Sequence, residues 1–134
     1  MTAIRMYPRN YWLRLVPVIL VMAAVFFLSH LPGNSFSLPK IVNLDKVLHG
    51  LLYTVLGLAA LIALSPRFRQ QRPVLASAMV VLFCLVYGIT DELHQSFVPG
   101  RSSDILDVVA DATGGLLAVL CGWCWRQWGA SGRR

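Results

Sequence analysis

The sequence predicts an all-α, polytopic membrane protein, a bundle of four transmembrane helices with both termini on the cytoplasmic side, in one membrane domain spanning residues 1–134. Three observations predict it. Of the 134 residues, 57% are hydrophobic and only 13% are charged, whereas soluble domains carry roughly 25% charged residues. The apolar residues fall into four runs near the ~20 residues that a bilayer crossing requires. Between the runs stand clusters of Pro, Gly, Ser and Arg that interrupt helix. A water-soluble body this small could not bury so much apolar side chain, because small domains hide the smallest share of their surface.

The first span covers about residues 12–29, after a start carrying Arg5, Arg9 and Arg14. No small-x-small cleavage pattern follows its apolar run, so it reads as an uncleaved helix rather than a signal peptide. A Pro-, Gly- and Ser-rich loop with Pro32, Gly33 and Pro39 leads to the second span, about 45–64, which Ser65-Pro66 ends. Arg67, Arg69 and Arg72 form a short basic loop closed by Pro73, and the third span occupies about 74–97. In Val98-Pro99-Gly100-Arg101, Pro and Gly hold the central positions of a type II turn, where Pro presets the first dihedral and Gly accepts the positive one. The chain reverses there into the fourth span, about 104–125.

Four spans place both termini on one face. Arg5, Arg9, Arg14, Arg67, Arg69, Arg72, Arg126, Arg133 and Arg134 share that face, leaving Lys40, Lys46 and Arg101 for the other. Basic residues gather on the cytoplasmic side of membrane proteins, and Trp12, Trp123, Trp125 and Trp128 form a matching interfacial belt. The net charge of +6 thus reports topology. It forms no continuous basic stripe, which argues against nucleic acid. The three cysteines, Cys84, Cys121 and Cys124, make no disulfide framework, and a redox role for the Cys121/Cys124 pair would expect a soluble fold around it.

This topology carries all six acidic residues to the outer ends of the spans. Asp45, His49 and Tyr53 are spaced i, i+4, i+8 on the second span; Tyr87, Asp91 and Gln95 repeat that spacing on the third, beside Glu92 and His94; Asp104, Asp107 and Asp111 follow i, i+3, i+7 on the fourth. Each series forms one helical stripe. Ionisable side chains are costly toward lipid, so the stripes should face one another, with Lys46 and Arg101 as the available bases. Asp111 lies on the order of 10 Å below the start of its helix, deep enough to need a partner. Asp45, Lys46, His49, Tyr53, Asp91, Glu92, His94, Gln95, Arg101, Asp107 and Asp111 make the candidate site, and His49, Asp91, Glu92, Asp107 and Asp111 are its candidate metal ligands, with a divalent cation as the implied cofactor.

Plainer roles compete for several of these residues. Asp45 and Asp104 suit helix N-caps, with Asp107 at the third helical position. Lys46 can snorkel to the headgroups, and His30, alone at a span end, suits the interface. Ser102 and Ser103 suit turn and cap positions, since no Ser-His-Asp spacing is recognisable. Gly114-Gly115 suits close helix packing.

Asp45-Lys46-x-x-His49-x-x-x-Tyr53, Tyr87-Gly88-x-x-Asp91-Glu92-x-x-Gln95-x-Phe97-x-Pro99-Gly100-Arg101 and Asp107-x-x-Ala110-x-x-x-Gly114 together resemble the VanZ-like family of small bacterial integral membrane proteins, over about residues 45–118. The resemblance implies a multi-pass protein of the bacterial cytoplasmic (inner) membrane, with its site facing the extracytoplasmic side. It also implies a link to low-level resistance to teicoplanin, a glycopeptide that acts on lipid-linked cell-wall precursors at that face. The family pattern often carries Asn at the place of Asp111, so the carboxylate is a departure that favours cation binding or a raised pKa and puts in doubt any mechanism assuming a neutral amide.

Three function classes follow. The first is a protein whose polar pocket binds or acts on envelope lipids or cell-wall precursors, Arg101 and Lys46 holding an anionic headgroup with help from a divalent cation. The second is a metal-dependent intramembrane hydrolase or transferase using the carboxylates and His49 on a lipid-linked substrate. Mg²⁺, Ca²⁺ or Mn²⁺ would suit the carboxylates and Zn²⁺ the histidines. The third is a small proton-coupled transporter, which with four spans would need to form an oligomer. The expected partners are membrane lipids and a lipid-linked cell-wall precursor or a glycopeptide.

Overall fold

A computed structural model describes residues 11–33, 35 and 42–131, with side chains described through residue 126. Five helices follow in order: α1 (Trp12–His30), α2 (Leu44–Ala63), α3 (Pro66–Gln71), α4 (Pro73–Gln95) and α5 (Ile105–Ser131). All but α3 are long and apolar enough to cross a membrane, and no strand occurs among the described residues. Large apolar side chains such as Phe27, Leu51, Leu82 and Leu116 stand exposed on the outside of the bundle, where lipid is the solvent.

The interior uses small residues, because helices in lipid associate by close packing rather than by hiding apolar surface from water. α5 packs most extensively against α2 and α4, while α1 lies on α2 and touches α4. The adjacent glycines of α5 serve two different neighbours. A Cβ at Gly114 would fall 2.5 Å from the Gly50 carbonyl oxygen on α2, and one at Gly115 would fall 2.9 Å from Cys84 Cβ on α4. The expected role of Gly114-Gly115 in close approach therefore holds on both sides of the helix. Val25, Tyr53, Leu56 and Cys84 form one buried apolar cluster, and Ala60, Val80 and Val119 a second.

The connections follow local chemistry. Gly100 has φ +74, and the Arg101 N–H donates to the Val98 carbonyl at 3.1 Å, closing the expected turn. The loop after α1 docks on this turn: the Gly33 N–H donates to the Pro99 carbonyl at 3.3 Å. The basic segment after α2 departs from expectation, being the helix α3 rather than a loop. Ser65 caps it by accepting from the Phe68 N–H at 3.2 Å, and Pro66 stands in its first turn. That Ser-Pro pair is a helix-start signature, outweighed in the sequence by the arginines that follow it.

Arg14, Arg67, Arg69, Arg72 and Arg126 gather at the end of the bundle opposite the acidic stripes, and Arg126 donates to the Arg69 carbonyl at 3.3 Å. Arg5, Arg9, Lys40, Arg133, Arg134, Pro39 and the side chain of Trp128, which also entered the topology expectation, lie outside the described residues.

Candidate functional site

The polar residues of the acidic end form two layers. The upper one centres on Lys46, whose ammonium reaches three carboxylates: Asp104 Oδ2 at 2.7 Å, Asp45 Oδ2 at 2.9 Å and Asp107 Oδ1 at 3.1 Å. The side chains of Asp45 and Asp104 are 58% and 39% exposed, so this layer is the rim of the site. Asp104 also N-caps α5, accepting the Leu106 N–H at 2.9 Å. The cap and ion-pair roles coexist because each uses a different carboxylate oxygen. Lys46 holds the Asp104 carboxyl below its usual 3.8, helped by the Leu106 N–H. Asp45 does not cap α2. Asn43 occupies that position in a left-handed conformation, φ 61, and makes no side-chain cap bond.

Below the rim, the polar groups leave water. His49 Nδ1 lies 3.0 Å from Asp111 Oδ1, and the Asp111 side chain is fully buried. Asp111 rests on Gly88 of α4, where a Cβ would come within 2.5 Å of its Oδ2. Gly88 thus makes room for a carboxylate between two helices. On α4, Asp91 accepts the Ser29 hydroxyl at 2.8 Å and the Gln95 amide at 3.1 Å, both on Oδ2. The neighbouring Glu92 accepts the backbone N–H of Asp104 on Oε2 at 2.8 Å, tying α4 to the start of α5. Tyr53 is buried beside His49, with near-parallel rings and centroids 6.4 Å apart. One ligand atom from each of His49, Asp91 and Glu92 lies within 4.8 Å of the others. The remaining candidate metal ligands stand elsewhere, Asp107 on Lys46 and Asp111 behind His49.

Two candidates face away from this core. Arg101 donates from Nε to the Leu31 carbonyl at 3.2 Å and from Nη2 to the Leu28 carbonyl at 3.1 Å, so it caps the C-terminus of α1. A guanidinium satisfies orphan carbonyls and complements the negative helix end. His94 turns to α1, with its Nε2 3.2 Å from His30 Nδ1 and its ring near-parallel to Phe26 at a centroid separation of 4.7 Å. His30, expected to stand alone, therefore has a ring partner. Tyr87 donates to the Met22 carbonyl at 2.8 Å and serves α1 packing. Ser29, which holds Asp91, escaped the sequence reading. Its signal was a single hydroxyl closing an apolar run at the depth of the other polar residues.

The family model described as VanZ/LLP1 matches residues 11–126. The chain belongs to the VanZ/LLP1 family. That match takes in α1, so Ser29 and the carbonyls held by Arg101 lie inside the family region, upstream of where the VanZ-like motifs begin at Asp45. No curated protein and no solved structure matches the chain. Within this VanZ-like bundle, the motif residues sort by depth: Asp45 and Lys46 at the rim, Asp107 buried under Lys46, His49, Tyr53, Asp91, Glu92, Gln95 and Asp111 beneath, and Arg101 at the α1 end.

Proposed function

We propose that this protein recognises the headgroup of an envelope lipid or a lipid-linked cell-wall precursor at the outer face of the bacterial cytoplasmic membrane, with both termini in the cytoplasm. One observation carries the reading: buried carboxylates are stacked under an exposed rim at a single end of an otherwise apolar bundle. Helix packing calls for one or two polar ties, and Asp91, Glu92, Asp107 and Asp111 are all buried here. The gathering of Arg14, Arg67, Arg69, Arg72 and Arg126 at the other end supports the orientation. Among the described residues, Lys46 is the base in reach of a headgroup, since it can exchange exposed carboxylates for a phosphate, whereas Arg101 already holds α1.

Equilibrium binding of the purified full chain in nanodiscs tests this. Undecaprenyl-pyrophosphate lipids or phosphatidylglycerol should bind at least tenfold more tightly than phosphatidylcholine, with the preference lost in Lys46→Gln. Equal binding of all headgroups would refute the reading. Family membership adds an expectation of teicoplanin protection. A sensitive Gram-positive host expressing the chain should tolerate more teicoplanin than the same host expressing His49→Ala or Asp91→Asn at equal membrane levels. Equal protection by all three would make these residues structural.

The His49–Asp111 hydrogen bond favours a second reading, an intramembrane hydrolase or transferase in which Asp111 orients His49 as a general base. Turnover of a lipid pyrophosphate that Asp111→Asn reduces by more than about a hundredfold, with unchanged substrate affinity, would select it over binding alone.

A further inference from the structure

His49, Asp91 and Glu92 come from two helices, and among the described residues each makes its side-chain hydrogen bonds through one polar atom. His49 is engaged at Nδ1 by Asp111, leaving Nε2. Both hydrogen bonds to Asp91 fall on Oδ2, leaving Oδ1. Glu92 is engaged at Oε2 by the Asp104 N–H, while its buried Oε1 has no hydrogen-bond partner among the described residues. Glu92 is only 4% exposed, so the open oxygen is closed off from water as well. A buried carboxylate oxygen without a partner costs free energy, and a native structure retains one where something else satisfies it. One ligand atom from each of the three residues lies within 4.8 Å of the others, a spacing that one ion can bridge.

The hydrogen bonds behind these three residues match the outer contacts that orient ligands in metal centres. A ligating histidine donates its other ring N–H to a carboxylate, which fixes the tautomer and turns the lone pair to the metal. Asp111 Oδ1 stands in that position behind His49. Ligating carboxylates are likewise held by outer hydrogen bonds, as Ser29 and Gln95 hold Asp91 and the α5 backbone holds Glu92. Two further buried polar atoms nearby in the same layer, Asp111 Oδ2 and the Tyr53 hydroxyl, also lack partners among the described residues.

We propose that His49, Asp91 and Glu92 bind one divalent cation, with Asp111 as the residue that positions His49. One imidazole with two carboxylates suits Mn²⁺ or Zn²⁺. The inference rests on the headgroup reading for its role: the ion supplies the positive charge that an anionic headgroup needs among carboxylates outnumbering Lys46 and Arg101. It would neutralise Asp91 and Glu92 and supply a Lewis-acidic positive charge for an anionic headgroup.

The test uses the full chain in detergent without added lipid, stripped with chelator and titrated with Mn²⁺, Zn²⁺, Mg²⁺ and Ca²⁺. One Mn²⁺ or Zn²⁺ per chain should bind saturably. Glu92→Gln and Asp91→Asn should each weaken binding at least tenfold, Asp111→Asn by roughly 10–100-fold, and Arg67→Gln, at the opposite end of the bundle, not at all. Where a variant fails to fold, wild-type protein decides alone, because Mn²⁺ in the site must show electron spin-echo modulation from one imidazole nitrogen. Absence of saturable binding, no nitrogen signal, a preference for Ca²⁺ or Mg²⁺, or affinity lost in Arg67→Gln but kept in Glu92→Gln would overturn the proposal. Headgroup selectivity that persists in chelator would sink the cation's role alone. Cation binding without headgroup selectivity would sink the headgroup reading alone.

Discussion

The rim and the buried layer beneath it use the same chemistry, carboxylates set against one nitrogen base, and reach opposite arrangements. At the rim a single ammonium on a flexible stem serves three carboxylates, two of them well exposed, and either of those two can turn to water if released. In the buried layer the imidazole of His49 meets one carboxylate on a rigid ring, while Asp91 and Glu92 are fixed by neutral donors from Ser29, Gln95 and the α5 backbone. The difference teaches what depth does to a charge. Near water, a group needs only an approximate partner, and exchange between partners is cheap. In the interior each polar atom needs its own partner, and Glu92 Oε1 has none among the described residues.

Removing one partner in each layer should separate them most sharply. His49→Leu leaves Asp111 buried against an apolar neighbour and should cost roughly 3–5 kcal/mol of stability, measured as a fall in the detergent melting temperature followed by tryptophan fluorescence. Adding Asp111→Asn to His49→Leu should recover part of that loss, since an orphan amide costs only about 1–3 kcal/mol. No recovery would mean that His49 acts through packing rather than through its carboxylate.

Gly88→Ala reaches the buried layer from behind, because its Cβ would come within 2.5 Å of Asp111 Oδ2. Overpacking of that kind should cost about 1–3 kcal/mol, and a melt unchanged from wild type would show that Asp111 can move aside. Asp45→Asn should change stability by no more than about 0.5 kcal/mol, a difference that shrinks in high salt, as for an exposed ion pair. A larger, salt-insensitive effect would erase the distinction between the layers.

The smallest effect is one of pH. The Asp104 carboxyl titrates below its usual value in the folded chain, chiefly through Lys46. The carboxylate therefore adds stability above the usual value near 3.8, and that contribution fades as pH falls through the lower folded value. The melting difference between wild type and Asp104→Asn should thus persist at about pH 6 and close below about pH 4. A difference that grows in acid would contradict the Lys46 contact.

Span number, the Pro99-Gly100 turn and the polar stripes were legible in the sequence because each depends on local spacing. Hydropathy measures length, Pro-Gly dictates backbone dihedrals, and a residue four positions on shares a helix face. The Asp91–Gln95 hydrogen bond is such a pair, as are the stripe positions of His49 and Asp111 that meet across α2 and α5. What stayed hidden depends on which helices are neighbours. Ser29 gains meaning only once α1 lies against α4, and Arg101 reads as a free base until its turn is seen under the end of α1. Nor does spacing reveal that one lysine answers three carboxylates, because a stripe gives direction without distance. α3 was missed for a different reason: its arginines resemble a cytoplasmic loop, and only the Ser65 cap betrays the helix.

Arg101 makes the two sides of this end of the protein unequal. By holding the last carbonyls of α1, and with Gly33 resting on the turn before it, it joins α1 and the α4–α5 connection at the backbone. Ser29 and Asp91 stay together within that joined half. Across the seam between α2 and α5, the rim is closed by side chains alone, Lys46 from one helix and Asp104 and Asp107 from the other. The rim above His49 is thus held by one lysine stem, whereas the α1 side is held through backbone carbonyls.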